Sequence, residues 1–138
     1  MASNPYFQFK RFTIRQERCA MKVGTDGVLL GAWCDVASAA SVLDIGAGTG
    51  LIALMVAQRS SAEVVAVELD ESAASQAAEN VADSPWMDRV SVVCASVQRY
   101  AAQCGRQFDR IVSNPPYFQD SLESFTESEK VYSKLLNI

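Results

Sequence analysis

From residue 41 onward, short β-type runs alternate with helix-type segments, and this alternation constrains the fold more than any other feature. The β-type runs are SVLDI (41–45), EVVAVEL (63–69), RVSVVCA (89–95) and FDRIVS (108–113). Short runs nearly continuous in Val and Ile are typical of strands buried on both faces. Strand–helix–strand alternation implies parallel strands joined by right-handed crossovers. The sequence therefore predicts an α/β fold with a Rossmann-like, doubly wound and mostly parallel sheet.

A glycine-rich stretch, VLDIGAGTG (42–50), joins the first predicted strand to the first helix. Gly46, Gly48 and Gly50 let the backbone turn sharply and leave no Cβ in the way of a ligand. The helix that follows offers free N–H groups and a positive dipole end. Glu68 ends the second strand about twenty residues later, where an acid can accept hydrogen bonds from both ribose hydroxyls of an adenosine. Together these features predict an adenosine ligand.

The spacing of these glycines and the acid before them indicate which adenosine ligand is bound. The pattern is GxGxG rather than the GxGxxG of nicotinamide enzymes, and Asp44 lies at the end of the strand. Asp44 either orders the loop or faces a cationic ligand. S-adenosylmethionine carries an ammonium and a sulfonium, whereas a diphosphate would be repelled. The sequence also contains no histidine, which further disfavours a dehydrogenase or a Ser-His hydrolase.

The fourth β-type run ends in SNPPYF (113–118). Proline fixes φ, and the residue before a proline is held extended, so this loop is stiff. Taken alone, the loop is interpreted either as a rigid turn that ends a strand or as a rigid support for chemistry.

Composition indicates a soluble, cytoplasmic protein. No apolar run is long enough to span a membrane, and MASNPYFQFKRF lacks the apolar core of a signal peptide. The four cysteines show no CxxC spacing, so we interpret them as reduced thiols and predict no metal site. The net charge is −4, yet residues 10–22 carry +4. This basic arm is either a solvated face or a phosphate contact, for which Arg15 and Arg18 are the candidates.

Three motifs taken together resemble a known family. VLDIGAGTG, VELD and NPPY resemble the class I S-adenosylmethionine-dependent methyltransferases that methylate an amino nitrogen. The leader CAMKVGTDGVLLGAW (19–33) is similar to the tRNA adenine-N6 methyltransferases that modify the adenine beside the anticodon of valine tRNA. The resemblance runs from about Phe7 to Gln119.

The resemblance implies a set of site residues. Many such enzymes place an aspartate after the third strand, whereas this chain has CASVQ, so Ser96 would substitute for it. The cofactor would be held by Lys22, Gly24, Thr25, Asp26, Asp44, Gly46, Gly48, Glu68, Leu69, Ser96 and Asn114. The catalytic residues would be Asn114, Pro115 and Tyr117, and the substrate would contact Pro116, Tyr117 and Phe118.

The predicted reaction needs acceptors rather than a base. The lone pair of an exocyclic adenine amine is delocalised into the ring, and correctly placed acceptors localise it. The Asn114 side-chain oxygen and the Pro115 carbonyl would each accept one N–H, while the two prolines keep them aimed. Tyr117 would stack on the base, and Phe118 would wall the pocket. Such a base must be unstacked, which favours a single-stranded tRNA loop as partner.

We predict three regions: a basic leader with a cofactor-covering helix (1–40), a cofactor-binding core (41–118) and an acidic, Ser-rich tail (119–138). The helix over TDGVLLGAW would have Thr25 or Asp26 as its N-cap. The expected strand order is 3-2-1-4 in order of appearance, with the fourth strand at an edge. That edge would be covered by a partner, by a second copy or by VYSKLLNI, because the sheet looks incomplete on its C-terminal side.

Two alternatives to tRNA methylation remain open at this point. The first keeps the chemistry and changes the substrate, because NPPY also marks enzymes that methylate a glutamine amide in release factors or adenine in DNA. The second, of a different class, is a fragment that binds cofactor without catalysis.

Overall fold

A computed structural model describes residues 5–114 and 131–136 of the chain. Within these residues the elements, in chain order, are β1 (Tyr6–Gln8), β2 (Thr13–Arg15), α1 (Thr25–Trp33), β3 (Ser41–Ile45), α2 (Leu51–Arg59), β4 (Glu63–Glu68), α3 (Glu71–Ala82), β5 (Val90–Cys94), α4 (Val97–Cys104) and β6 (Arg110–Ser113).

The central sheet has four parallel strands in the order β5-β4-β3-β6. This order confirms the predicted arrangement, and each predicted strand lies within two residues of its observed bounds. Asp44 of β3 is in register with Ala66 of β4 and with Val112 of β6. Because parallel strands all end at the same edge, the loops after β3, β4 and β6 lie side by side there.

The sheet is buried on both faces, which explains its continuous apolar runs. Val42 and Val64 point to the face covered by α2, where Leu54 and Val56 are buried. The opposite face carries an apolar cluster of Leu43, Ile45, Val65, Val67, Ala101, Phe108 and Leu135. Residues 131–136 are helical, and the Leu135 carbonyl accepts a hydrogen bond from Phe108 N at 2.8 Å, so part of the tail lies where β6 begins.

The N-terminal leader forms an antiparallel hairpin, β1–β2, that the sequence did not predict. Phe7 pairs with Ile14, and the Phe9 N–H donates to the Phe12 carbonyl at 2.9 Å across the turn. Phe12 and Ile14 are buried in the main core, where the Phe12 and Trp86 rings meet edge to face with centroids 5.6 Å apart. The hairpin therefore anchors the leader to the body of the protein.

The predicted helix caps are partly wrong. Helix α1 begins after Gly24, which is extended and makes no side-chain capping bond, so neither Thr25 nor Asp26 is the N-cap. Asp70 caps α3 by accepting a hydrogen bond from Ala73 N at 2.9 Å. Within the described residues, no helix combines the length and apolar character that a membrane span requires.

Candidate functional site

The glycine loop (residues 46–50) follows β3 and is held by backbone hydrogen bonds to the neighbouring strand. The N–H groups of Gly46 and Ala47 both donate to the Val67 carbonyl, at 2.9 and 3.1 Å. Gly46 and Gly48 have φ of 70° and 54°, a region that favours glycine. No described atom lies within 4 Å of where a Cβ would stand at either position. The loop therefore presents bare backbone to the space beside it.

Glu68 ends β4 beside this loop and is oriented by two backbone donors. Its Oε1 accepts from Gly48 N at 2.7 Å, and its Oε2 accepts from Asp70 N at 2.9 Å. Each carboxylate oxygen can accept more than one hydrogen bond. Glu68 can thus bridge the loop and still offer two adjacent acceptors, which is the arrangement that a ribose diol requires.

A cavity of about 380 Å³ opens between the glycine loop, the end of β4 and the leader. It brings together most of the residues predicted to hold a cofactor. Those that line it are Lys22, Gly24, Gly46, Gly48, Glu68, Leu69 and Asn114.

Thr25 and Asp26 lie elsewhere. They line a second cavity of about 280 Å³, together with Lys22, Gly24 and Asn114. The two cavities share these last three residues, together with Met21 and Gly27. The site is therefore bipartite, with Asn114 bordering both parts.

Asn114 follows β6 and packs against the first turn of α1. A methyl group at Gly27 would lie 3.4 Å from Asn114 Nδ2. The close approach of α1 thus fixes where the amide stands, although the chain separates the two residues widely. The other predicted residues of this loop, Pro115, Pro116, Tyr117 and Phe118, lie outside the described residues.

Asp44 does not line either cavity, because it is buried in the strand beneath the loop at 1% exposure. Its two carboxylate oxygens accept no hydrogen bond from the described residues. Burial raises the pKa of Asp44 to about 7, and the charge of nearby Glu68 adds to this rise. The carboxyl group thus titrates near neutral pH.

Ser96 lies outside both cavities. Its hydroxyl accepts a hydrogen bond from Arg99 N at 3.1 Å and caps α4. The structure therefore shows a helix-capping contact for Ser96, and its contact with the cofactor stays a prediction.

The two predicted phosphate contacts have different surroundings. Arg15 is exposed beside a surface cavity of about 430 Å³ that Lys10, Arg11 and Asp83 also line. Arg18 instead forms an ion pair with Glu79 of α3 and donates to Ser75 Oγ at 3.3 Å. Of the two, Arg15 is the one that faces other cations.

Several cavity residues were not predicted from the sequence. Cys19 and Met21 line the first cavity from the leader, next to the predicted Lys22 and Gly24. Burial raises the pKa of the Cys19 thiol, so it stays protonated. The sequence signal for Cys19 and Met21 is their position beside the predicted Lys22 and Gly24. The sequence, however, predicts only a reduced thiol for Cys19. The four cysteines, including Cys19, are indeed free.

Comparison with known proteins agrees with this geometry. A family model described as the methyltransferase small domain matches residues 22–135. The chain belongs to this family. Three similar curated proteins are called tRNA1(Val) (adenine(37)-N6)-methyltransferase, from Bacteroides fragilis (60% identical, 88% of this chain), Bacteroides thetaiotaomicron (62%, 87%) and Escherichia coli O157:H7 (55%, 87%). The match covers 52%, 51% and 50% of these relatives, so the chain spans about half their length.

Solved structures of methyltransferases share the fold. A SAM-dependent methyltransferase from Agrobacterium tumefaciens has a TM-score of 0.73 at 17% identity and matches 99% of this chain and 50% of its own. An O-methyltransferase from Bacillus cereus, in complex with SAH, has a TM-score of 0.65 at 23% identity and matches 85% of this chain and 54% of its own. At these identities the likeness concerns the fold alone. It confirms the predicted class I methyltransferase architecture.

Proposed function

We propose that the chain is an S-adenosylmethionine-dependent methyltransferase acting on the exocyclic N6 amine of an adenine in tRNA, the one beside the anticodon. The observation that carries this proposal is the bipartite site, in which the glycine loop, Glu68 and Asn114 meet at one edge of the sheet. The relatives whose names state this activity are 54–62% identical to the chain.

The first cavity fits the cofactor. The bare backbone of Gly46 and Gly48 would admit its amino-acid end, Glu68 would accept from its ribose hydroxyls, and Leu69, which also lines the cavity, would contact the adenine. Lys22 and Gly24 close the site from the leader. When bound, the cofactor supplies a methyl group on a sulfonium. Asp44 acts through the loop above it rather than by contact, since it is sealed beneath that loop.

The second cavity suits the acceptor amine. In our proposal the Asn114 oxygen accepts one N–H of the adenine amine and the Pro115 carbonyl accepts the other. These acceptors would localise the lone pair of the amine and orient its nitrogen toward the methyl group that the cofactor supplies. As the family resemblance implies, Tyr117 would stack on the base, and Pro116 and Phe118 would contact the substrate. Thr25 and Asp26 line this cavity, so we assign them to the acceptor side as well.

The basic hairpin supports an RNA partner. Lys10, Arg11 and Arg15 are exposed together on a protein whose net charge is −4. A local group of cations on an otherwise acidic protein attracts phosphates without giving the whole surface nonspecific affinity for nucleic acid. Arg18 would contact RNA only after leaving Glu79. We further propose that β6, which pairs only with β3 among the described strands, provides an edge for self-association.

A methyl-transfer assay tests this function. The chain is incubated with methyl-labelled S-adenosylmethionine and an unmodified valine tRNA transcript, and incorporation is located by nuclease digestion. The matched control is the same transcript with guanine in place of adenine 37, the position that the names of the relatives state. We expect label in the first transcript and none in the second.

Release factor and duplex DNA, assayed in parallel, separate the alternatives. Label in release factor or DNA but not in tRNA would overturn the substrate assignment while leaving the chemistry intact. Cofactor binding without transfer to any acceptor would favour a binding module instead.

A further inference from the structure

Two amide side chains on α3 are fully buried although they are polar. Gln76 is 0% exposed and Asn80 is 1% exposed. They are four residues apart, so they stand on the same face of the helix. Burying an amide is unfavourable unless it is hydrogen-bonded. Both amides face the leader rather than the sheet.

Asn80 makes three hydrogen bonds, all to backbone groups. Its Oδ1 accepts from Arg15 N at 2.8 Å, and its Nδ2 donates to the Arg15 carbonyl at 2.9 Å. The same Nδ2 donates to the Thr49 carbonyl at 2.7 Å. Asn80 therefore joins the leader directly to the glycine loop.

Gln76 lies one turn before Asn80 on α3 and bonds the leader three residues after Arg15. Its Oε1 accepts from Arg18 N at 2.6 Å. Immediately after Arg18 comes the stretch Cys19–Gly24, which lines the first cavity. Residues 15–24, here called the lining segment, are thus fixed to α3 at their start and reach the cavity at their end.

The lining segment is also closed on itself. Gln16 Oε1 accepts from Val23 N at 2.9 Å, and Lys22 Nζ donates to the Gln16 carbonyl. The segment therefore forms a loop closed by its own hydrogen bonds. Its placement depends on the backbone bonds from Asn80 and Gln76.

We propose that Asn80 and Gln76 are positioning residues for the cofactor site. They hold the lining segment against the cavity, and Asn80 couples it to the glycine loop through Thr49. This inference rests on the proposed function, because the ligand that contacts both segments is the cofactor. Such a ligand stabilises both contact surfaces together, so order in the lining segment and occupancy of the cavity favour each other.

Amide hydrogen exchange with S-adenosylhomocysteine as the probe tests the proposal. Exchange is followed in peptides covering residues 14–24, with and without saturating ligand, and affinity is measured by calorimetry. In the unmodified chain we expect the ligand to slow exchange in these peptides. In Asn80→Leu we expect exchange there to rise roughly tenfold and affinity to fall about tenfold. Gln76→Leu, which loses one bond rather than three, should show the same changes at a smaller size.

Two control variants lie on α3 or just after its end. Glu79→Gln removes the ion pair to Arg18, which is largely exposed, and leaves the backbone bonds in place. Ser84→Ala removes a buried hydroxyl that donates to the Val81 carbonyl at 2.8 Å and accepts from Trp86 N at 3.2 Å, and neither partner belongs to the lining segment. Both should keep affinity and exchange of the lining segment at the unmodified values. A purely structural effect of the amides would instead raise exchange across α3 and the sheet in every destabilised variant.

Each result supports or overturns the inference. Unchanged affinity and unchanged exchange in folded Asn80→Leu would overturn it. If that variant does not fold, Gln76→Leu decides by the same criteria. If the unmodified chain does not bind the ligand, the proposed function fails; exchange in the ligand-free variants then still shows whether the amides hold the segment.

Discussion

The glycine loop and the lining segment meet at the same cavity but are built in different ways. The loop is positioned by its own backbone, with Gly46 and Ala47 donating to the adjacent strand. The lining segment is positioned by side chains of Gln76 and Asn80, which lie 58 and 65 residues away from the groups they bond. One wall of the cavity, the glycine loop, is thus held by the sheet and is here called the fixed wall. The other wall, the lining segment, is bonded by two amides, and we expect it to be easier to displace.

The largest effect is expected at the fixed wall. Gly48→Val places a β-branched residue at φ 54° and directs its side chain toward the cavity. We expect affinity for S-adenosylmethionine to fall by at least about a hundredfold, with a stability loss of about 2 kcal/mol. Calorimetry and thermal denaturation measure the two quantities. Near-normal affinity in this variant would show that the loop backbone is not part of the binding surface.

A smaller loss of cofactor affinity is expected when the glycine loop is unchanged and Glu68, which bonds it, is replaced. Glu68→Ala removes the two oxygens that we propose accept from the ribose, and it leaves the N–H groups of Gly48 and Asp70 without that partner. Affinity should fall at least about tenfold. Glu71→Ala, one turn away on the exposed start of α3, is the matched control and should bind normally. Equal affinity in both variants would remove Glu68 from the site.

Asp44 gives the fixed wall a pH dependence. Its pKa is about 7 in the folded chain, well above its ordinary value, so the folded state binds a proton that the unfolded state releases. Its contribution to stability is therefore complete at acidic pH and is lost as pH rises through about 7. Between the unfolded-state and folded-state pKa values, the free energy of unfolding should fall by at most about 1.4 kcal/mol per pH unit. Chemical denaturation at a series of pH values should show this slope, and Asp44→Asn should flatten it; an identical slope in the variant would contradict the assignment.

The smallest effect is expected outside both walls. Ser96→Ala removes the N-cap of α4 and should cost about 1 kcal/mol in stability. Cofactor affinity should not change, because Ser96 lines neither cavity. A clear loss of affinity at unchanged stability would restore Ser96 to the cofactor site, as the sequence resemblance implied.

The sheet and the fixed wall were predictable because their signals are local. Val- and Ile-rich runs identify the strands, and the spacing between Gly48 and Glu68 places both at the same sheet edge. The lining segment was only partly predictable. Lys22 and Gly24 were found by resemblance, but Gln76 and Asn80 stand in an alanine-rich helix, where polar residues usually face solvent. Only the packing of the leader on α3 shows that they are buried.

The β1–β2 hairpin and the N-cap of α1 were not predicted correctly, because both depend on tertiary contacts that the local sequence pattern does not show. The strands of the β1–β2 hairpin have three residues each, too short for an alternation to be recognised. The N-cap of α1 is Gly24 rather than its polar neighbours Thr25 or Asp26, and Gly24 also lines the first cavity. Local sequence preference therefore gave way to tertiary position.

The most direct test is a crystal structure of the chain with S-adenosylhomocysteine. We predict that the ribose hydroxyls lie within hydrogen-bonding distance of both Glu68 carboxylate oxygens. The amino-acid end should run along Gly46 and Gly48, and the sulfur should face Asn114. A ligand bound elsewhere, or an Asn114 side chain turned away from the cavity beside the glycine loop, would contradict the account.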